Sequence, residues 1–200
     1  FQMSFNKKGY KIIKNAISKE VAKLAYNYLI IKRNAEAQMF TENFLPPFEA
    51  LSGTWEDEQV PNTYCVYGDP FMETLLLYLK PLMKKQTGLN LYESYSYART
   101  YKRGDVLKRH KDRPSCEIST TLNLGGDPWP IFLEPSNKIT LKAGDMLIYK
   151  GCELEHWRDS FNGEVCVQVF LHYRKDKKHI YDGRPMVGFP AAYRKNEDNR

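Results

Sequence analysis

Two histidines and one aspartate carry the chemistry most directly readable in this chain. His110 and Asp112 are separated by one residue, and His156 follows much later. On a strand, residues i and i+2 point the same way. His110 and Asp112 would then aim at one point, and a donor from a distant strand could complete a triangular face around a metal. Two imidazoles plus one carboxylate, with the remaining positions open, form the donor set of non-haem Fe(II) oxygenases. A His-x-Asp triplet alone is weak, because such triplets arise by chance and a surface histidine is the plain alternative. The triplet gains weight from lying at a strand end, with His156 following the strand-like Gly144-Asp145-Met146-Leu147-Ile148-Tyr149. Of the four histidines, His172 lies in an apolar run and reads as a core or rim residue, and His179 falls in a charged tail.

These residues need a β framework, and the chain supplies one from Leu91 onward. Short segments dense in β-formers cover residues 92–101, 106–112, 118–124, 131–134, 139–141, 145–149 and 165–173. Turn signals separate them, among them Arg103-Gly104-Asp105, Ala143-Gly144 and Asn162-Gly163. Ahead of them, a short strand is expected over 10–13. Ser18 then caps a helix running to about Arg33, with Val21, Leu24, Ala25 and Tyr28 as its buried stripe. Asp69-Pro70 starts a second helix whose apolar face is Leu75, Leu79, Leu82 and Met83, and Pro81 should kink it or end it early. Residues 40–68, rich in Pro, Gly, Asn and acids, read as loop with short strands. The expected fold class is α+β, mainly β: a jelly roll or barrel-like sandwich with the N-terminal helices packed on one face. One domain over 3–200 is expected, with core strands at 91–173, helical support at 15–86 and a surface-hugging tail from 174 to 200.

Composition fits that picture. The chain has 200 residues, 42% hydrophobic and 27% charged, which excludes a disordered chain and leaves room for one globular core. No apolar run approaches the ~18 residues of a membrane span. Cys65, Cys116, Cys152 and Cys166 lie far apart with no CxxC pair, so a reducing, cytoplasmic setting is expected rather than a disulfide framework or structural zinc. Phe1 and Gln2 ahead of Met3 read as the remnant of a cleaved tag. Net charge is +6, and Lys102, Arg103, Lys108, Arg109, Lys111 and Arg113 gather beside the triplet. Such a strip is either a solvated face or a rim for an anionic cosubstrate, an acidic peptide or nucleic acid.

Taken in order, these segments resemble the 2-oxoglutarate- and Fe(II)-dependent dioxygenases, and among them the prolyl-4-hydroxylase-like branch. The run from Tyr101 to Asp112 is similar to the iron-binding strand pair of that family. Thr120-Thr121-Leu122-Asn123 resembles its following strand, and Lys142 to Tyr149 resembles the segment leading to the distal histidine in Glu155-His156-Trp157. The stretch Tyr10 to Ser18 resembles the start of these domains, so the resemblance spans roughly 8–173. It implies a double-stranded β-helix with Fe(II) at a catalytic triad of His110, Asp112 and His156. It also implies 2-oxoglutarate as cosubstrate and ascorbate as supporting reductant. The implied reaction hydroxylates an unactivated C–H bond and releases succinate and CO2. Tyr101 matches a family tyrosine that contacts 2-oxoglutarate, and Thr121 sits where the family places a hydroxyl lining that pocket.

One departure stands out. The family usually holds the far carboxylate of 2-oxoglutarate with an Arg or Lys on the last core strand, where this chain has Val165-Cys166-Val167. A dicarboxylate in a buried pocket needs a cation. Arg158, two residues after His156, would face the same interior and could grip a carboxylate through two nitrogens. A surface arginine past the strand end is the alternative. Arg99, sharing a strand face with Tyr97 and Tyr101, is a second candidate, and for Tyr101 simple aromatic packing is equally available.

The expected prime substrate is a prolyl or other side chain of a protein or peptide rather than nucleic acid. An AlkB-type nucleic-acid demethylase stays open through the basic strip, although the paired arginines of the AlkB last-strand motif are missing. A free-amino-acid hydroxylase lidded by the 40–68 loop is another reading, and a non-catalytic cupin-like metal- or sugar-binding jelly roll is a third.

Overall fold

The computed structural model describes residues 5–44 and 52–177, and two antiparallel sheets organise them. The elements in chain order are α1 (Phe5–Lys8), β1 (Tyr10–Ile13), α2 (Lys19–Thr41), β2 (Cys65–Tyr67), α3 (Pro70–Thr87), β3 (Tyr92–Lys102) and β4 (Leu107–His110). They continue with β5 (Ile118–Gly126), β6 (Ile131–Leu133), β7 (Asn137–Ile139), β8 (Met146–Tyr149), β9 (His156–Arg158) and β10 (Val165–Arg174). The larger sheet has the order β1-β8-β5-β10-β3-β2 and the smaller β4-β9-β6-β7. This is the expected jelly roll.

Alternation along β10 shows how the sequence divides inside from outside. Val167, Val169, Leu171 and Tyr173 join Leu75, Leu76, Leu79, Ala22, Ala25 and Leu29 in one core beneath the helices. Cys166 and Phe170 join Tyr95, Tyr97, Tyr101, Trp129 and Phe161 in a second core between the sheets. A strand buried on both faces sheds the polar alternation of an exposed one. That explains why Val165–Arg174 reads as one apolar run although its two faces meet different partners. In the stretch that lacks a cation, Val165 and Val167 pack on the helix side and Cys166 alone faces the core between the sheets.

Several expectations are corrected. The helix α2 runs eight residues past Arg33 to Thr41, and its buried stripe is Ala22, Ala25 and Leu29. Val21 and Leu24 are exposed, Leu24 by 61%. The small side chains of Ala22 and Ala25 let the helix lie close to the sheet, and Tyr26 comes down over Gly125 of β5, where a Cβ would stand 3.0 Å from its ring. The helix α3 passes through Pro81 without ending. Proline leaves the carbonyl of residue 77 without a helical donor, and both Pro81 and Leu77 are exposed, so water can serve that carbonyl. Asp69 caps α3, accepting from Phe71 N at 3.0 Å and Met72 N at 3.3 Å. The strand expected over 106–112 ends at His110, and that expected over 139–141 lies instead at Asn137–Ile139. The distant strand expected to bring His156 is β9, and it is long enough to carry Arg158 as well. His179 and most of the expected tail, residues 178–200, lie outside the described residues. Among the described residues, no helix is long and apolar enough to cross a membrane.

Candidate metal centre

The three residues singled out by type and spacing come together. The strands β4 and β9 pair antiparallel with His110 opposite His156, and the two imidazole rings lie 4.3 Å apart. Asp112 is two residues past the end of β4, not on it. Its backbone N–H donates to Gly151 O at 2.9 Å, which turns the chain so that the carboxylate returns to the histidines. Asp112 Oδ1 lies 3.3 Å from His156 Nε2 and 3.7 Å from His110 Nε2. Two ligand atoms each about 2.1 Å from a metal and at right angles are about 3 Å apart. One donor atom from each residue fits within 4.8 Å of the others, so the set fits a metal ion.

Backbone contacts set the orientation of both imidazoles. His110 Nδ1 lies 2.7 Å from Lys108 O, and His156 Nδ1 lies 3.1 Å from Leu154 O. A carbonyl only accepts, so each Nδ1 carries a proton, and Nε2 is the ring nitrogen that each histidine turns toward Asp112 and could offer to a metal. Burial lowers the His110 pKa, and neighbouring His156 lowers it further, which favours the neutral, ligating form. Burial alone would raise the Asp112 pKa. Hydrogen bonding and charge from His156, with His172 and Ser119, outweigh it and hold the carboxyl well below its usual range. The Asp112 carboxyl is thus an anion held ready for a cation.

The triad opens on a cavity of about 540 Å³, a size suited to small ligands. Tyr67, Tyr95, Tyr97, Tyr101, Tyr149 and Phe170 supply an aromatic part of its wall. The Tyr149 ring packs against His156 at 4.7 Å. Glu56, Asp57, Glu58 and Gln59 also line the cavity, so part of the 40–68 segment does overhang it.

Arg158 points into the interior between the sheets, as its parity with His156 requires. It is 1% exposed, stacks on Trp129 with 5.0 Å to the ring centroid, and donates to Trp129 O and to Thr121 Oγ1, the latter at 3.4 Å. Its Nε has no partner, and no carboxylate pairs with it among the described residues. Burial lowers its pKa, while Cys166, Tyr101 and Tyr149 pull the other way. Thr121 donates to Gln168 Oε1 at 2.9 Å, and Tyr101 stands edge-on to Trp129 at 4.8 Å. The other candidate cation, Arg99, is taken: Asp57 Oδ1 meets it at 2.9 Å, and it also contacts Gln59 Oε1 and Tyr97 OH. Gln59 reaches further, its amide Nε2 lying 3.0 Å from His110 Nε2.

Part of the basic strip is neutralised. Lys102 pairs with Asp105, Arg103 with Glu164, and Arg109 with Glu155. Sequence reasoning missed Ser119, Gly151, Asp57 and Gln59. Strand parity with Thr121 could have flagged Ser119, but nothing local marks the loop residues.

No protein-family model matches the chain, and no curated protein matches it either. Solved structures do. A prolyl-4-hydroxylase from Pseudomonas putida aligns with TM-score 0.56 and 13% identity, over 84% of this chain and 93% of that one. HygX from Streptomyces hygroscopicus, solved with nickel and 2-oxoglutarate, gives 0.59 and 14%, over 89% and 87%. The viral collagen prolyl hydroxylase of Paramecium bursaria Chlorella virus-1, a 2-oxoglutarate complex, gives 0.57 and 13%, over 86% and 98%. The chain therefore shares the fold of these structures.

Proposed function

We propose that this chain is a 2-oxoglutarate- and Fe(II)-dependent oxygenase that hydroxylates an unactivated C–H bond and releases succinate and CO2. The observation that carries the reading is the convergence of His110 Nε2, Asp112 Oδ1 and His156 Nε2 at an aromatic-walled cavity inside a jelly roll. The bound iron, with its cosubstrate, supplies the oxidising power. The chain supplies the geometry. Lys108 O and Leu154 O fix both imidazoles. Arg158 is the cation for the far carboxylate, because a buried guanidinium without an anion is costly and an incoming carboxylate relieves that cost. At that end Tyr101 lines the cavity itself, while Arg158 and Thr121, bonded to each other, lie outside its lining.

The prime substrate is a side chain of a peptide or protein, a reading supported by the prolyl hydroxylases among the structural neighbours. A small-molecule substrate is the second reading. It draws on the Glu56–Gln59 loop reaching into the cavity and on HygX, a neighbour solved with hygromycin B bound. Incubation with Fe(II), ascorbate and 2-oxoglutarate should yield succinate, and Asp112→Ala should abolish it. No succinate, together with no 2-oxoglutarate binding by calorimetry, would favour a non-catalytic metal-binding jelly roll. Adding proline-containing peptides and, separately, free amino acids should raise the rate with one class only.

A further inference from the structure

Asp112 turns only one oxygen toward the histidines. Its Oδ2 faces away and accepts a 2.6 Å hydrogen bond from the hydroxyl of Ser119. Ser119 is fully buried on β5, in register with Tyr149 of β8 on one side and His172 of β10 on the other. The His172 ring packs against Tyr95, its partner on β3, at 4.7 Å and brings Nδ1 to 3.0 Å from the Ser119 hydroxyl. A lateral row of side chains, Tyr149, Ser119, His172 and Tyr95, thus crosses four neighbouring strands beneath the triad.

Counting protons gives that row a direction. The Ser119 hydroxyl has one proton to give and lone pairs to fill. Its three contacts are Asp112 Oδ2, Cys116 O at 3.0 Å and His172 Nδ1. The carboxylate and the carbonyl only accept, so His172 alone among the three can donate. With Nδ1–H filling a lone pair, the hydroxyl proton goes to the carboxylate, the shortest contact and the charge-assisted one. The backbone closes the other side. A Cβ at Gly151 would stand 2.3 Å from Asp112 Oδ2, 2.5 Å from Cys116 O and 2.7 Å from Ser119 Oγ. Oδ2 therefore has one comfortable place, against Ser119.

We propose that Ser119, oriented by His172, is a positioning residue that makes Asp112 a one-oxygen metal ligand. A carboxylate free to rotate could bind through both oxygens and take a position that the cosubstrate needs. The inference rests on the triad being a metal site, so its test separates the two. Mn(II) affinity by calorimetry and the visible spectrum of the Co(II)-loaded protein, which reports coordination number, are measured for wild type, Ser119→Ala, His172→Phe and Asp112→Ala. Phenylalanine keeps a ring against Tyr95 and removes the Nδ1 donor.

The expected result is that Ser119→Ala and His172→Phe each weaken Mn(II) binding by about tenfold or more and change the Co(II) spectrum in the same way. If either folded variant keeps the wild-type affinity and spectrum, or the two spectra diverge, the positioning role is overturned. Thermal melting of the metal-free proteins identifies the folded variants, and His172→Phe decides alone if Ser119→Ala does not fold. If Asp112→Ala binds Mn(II) as tightly as wild type, the triad itself is misassigned.

Discussion

At the scale of single residues, the site depends on atoms with no reactivity of their own. Two backbone carbonyls fix the imidazoles, and a missing side chain at Gly151 leaves room for the Asp112 carboxylate. Gly151→Ala should push Asp112 Oδ2 away and weaken Mn(II) binding by about tenfold or more, with the far-ultraviolet dichroism unchanged. Wild-type Mn(II) affinity in that variant would contradict the geometry given for Asp112. Arg158→Met should leave Mn(II) binding intact and lower 2-oxoglutarate affinity by about tenfold or more, since charge-assisted hydrogen bonds contribute about 1.5–3 kcal/mol. An equal loss in Arg99→Met with none in Arg158→Met would move the anion site to the other arginine. The triad was legible in the sequence because metal donors are few in type and strand parity aligns them. Asp112 kept its place although the strand stops at His110, since one hydrogen bond to Gly151 O replaces the missing strand geometry. Gly151 was not legible, because its role is the space it leaves free.

At the scale of elements, long-range contacts hold the segments around the site. The Glu56–Gln59 stretch is anchored by Asp57 on the fully buried Arg99 side chain. Removing one partner of a buried ion pair strands the other charge, at about 3 kcal/mol or more. Asp57→Ala should show a loss of that size in urea unfolding, and a change under about 1 kcal/mol would mean that water or another group compensates Arg99. The turn before β8 is tied to the end of β1 by Asp145, which meets Lys14 Nζ at 2.8 Å and the backbone N–H groups of Asn15 and Lys142. Burial would raise its pKa, but these donors outweigh it and lower the carboxyl below its ordinary 3.8. A depressed folded-state value means that the stabilisation is whole above the unfolded value and is lost as pH falls through the folded one. Asp145→Asn should therefore be less stable than wild type at neutral pH, and the gap should shrink below about pH 4. A gap independent of pH would exclude an ionised Asp145 as its source. Existence and type of element were largely readable from apolar runs and caps, as Ser18 and Asp69 show. The buried face of α2 was readable in part: Ala25 and Tyr28 do meet the core, but Ala22 and Leu29 lie there in place of Val21 and the larger Leu24.

At the scale of the whole molecule, a two-sided sheet joins support to chemistry. One face of β10 seals the helical core while the other lines the cavity, so helix packing and site geometry share a backbone. The positive charge that drew attention in the sequence is partly spent on local pairs. The cavity mouth carries Glu56, Asp57 and Glu58 beside Lys111 and Arg113, a mixed rim that only the folded chain reveals. The central claim is that one metal ion sits where β4, β9 and the Asp112 turn converge, with 2-oxoglutarate between it and Arg158. A crystal structure of the protein with Mn(II) and 2-oxoglutarate tests this most directly. The metal should be bonded to His110 Nε2, Asp112 Oδ1 and His156 Nε2, with the far carboxylate on Arg158. Metal bound elsewhere, or a 2-oxoglutarate carboxylate seated on Arg99 in place of Asp57, would contradict it.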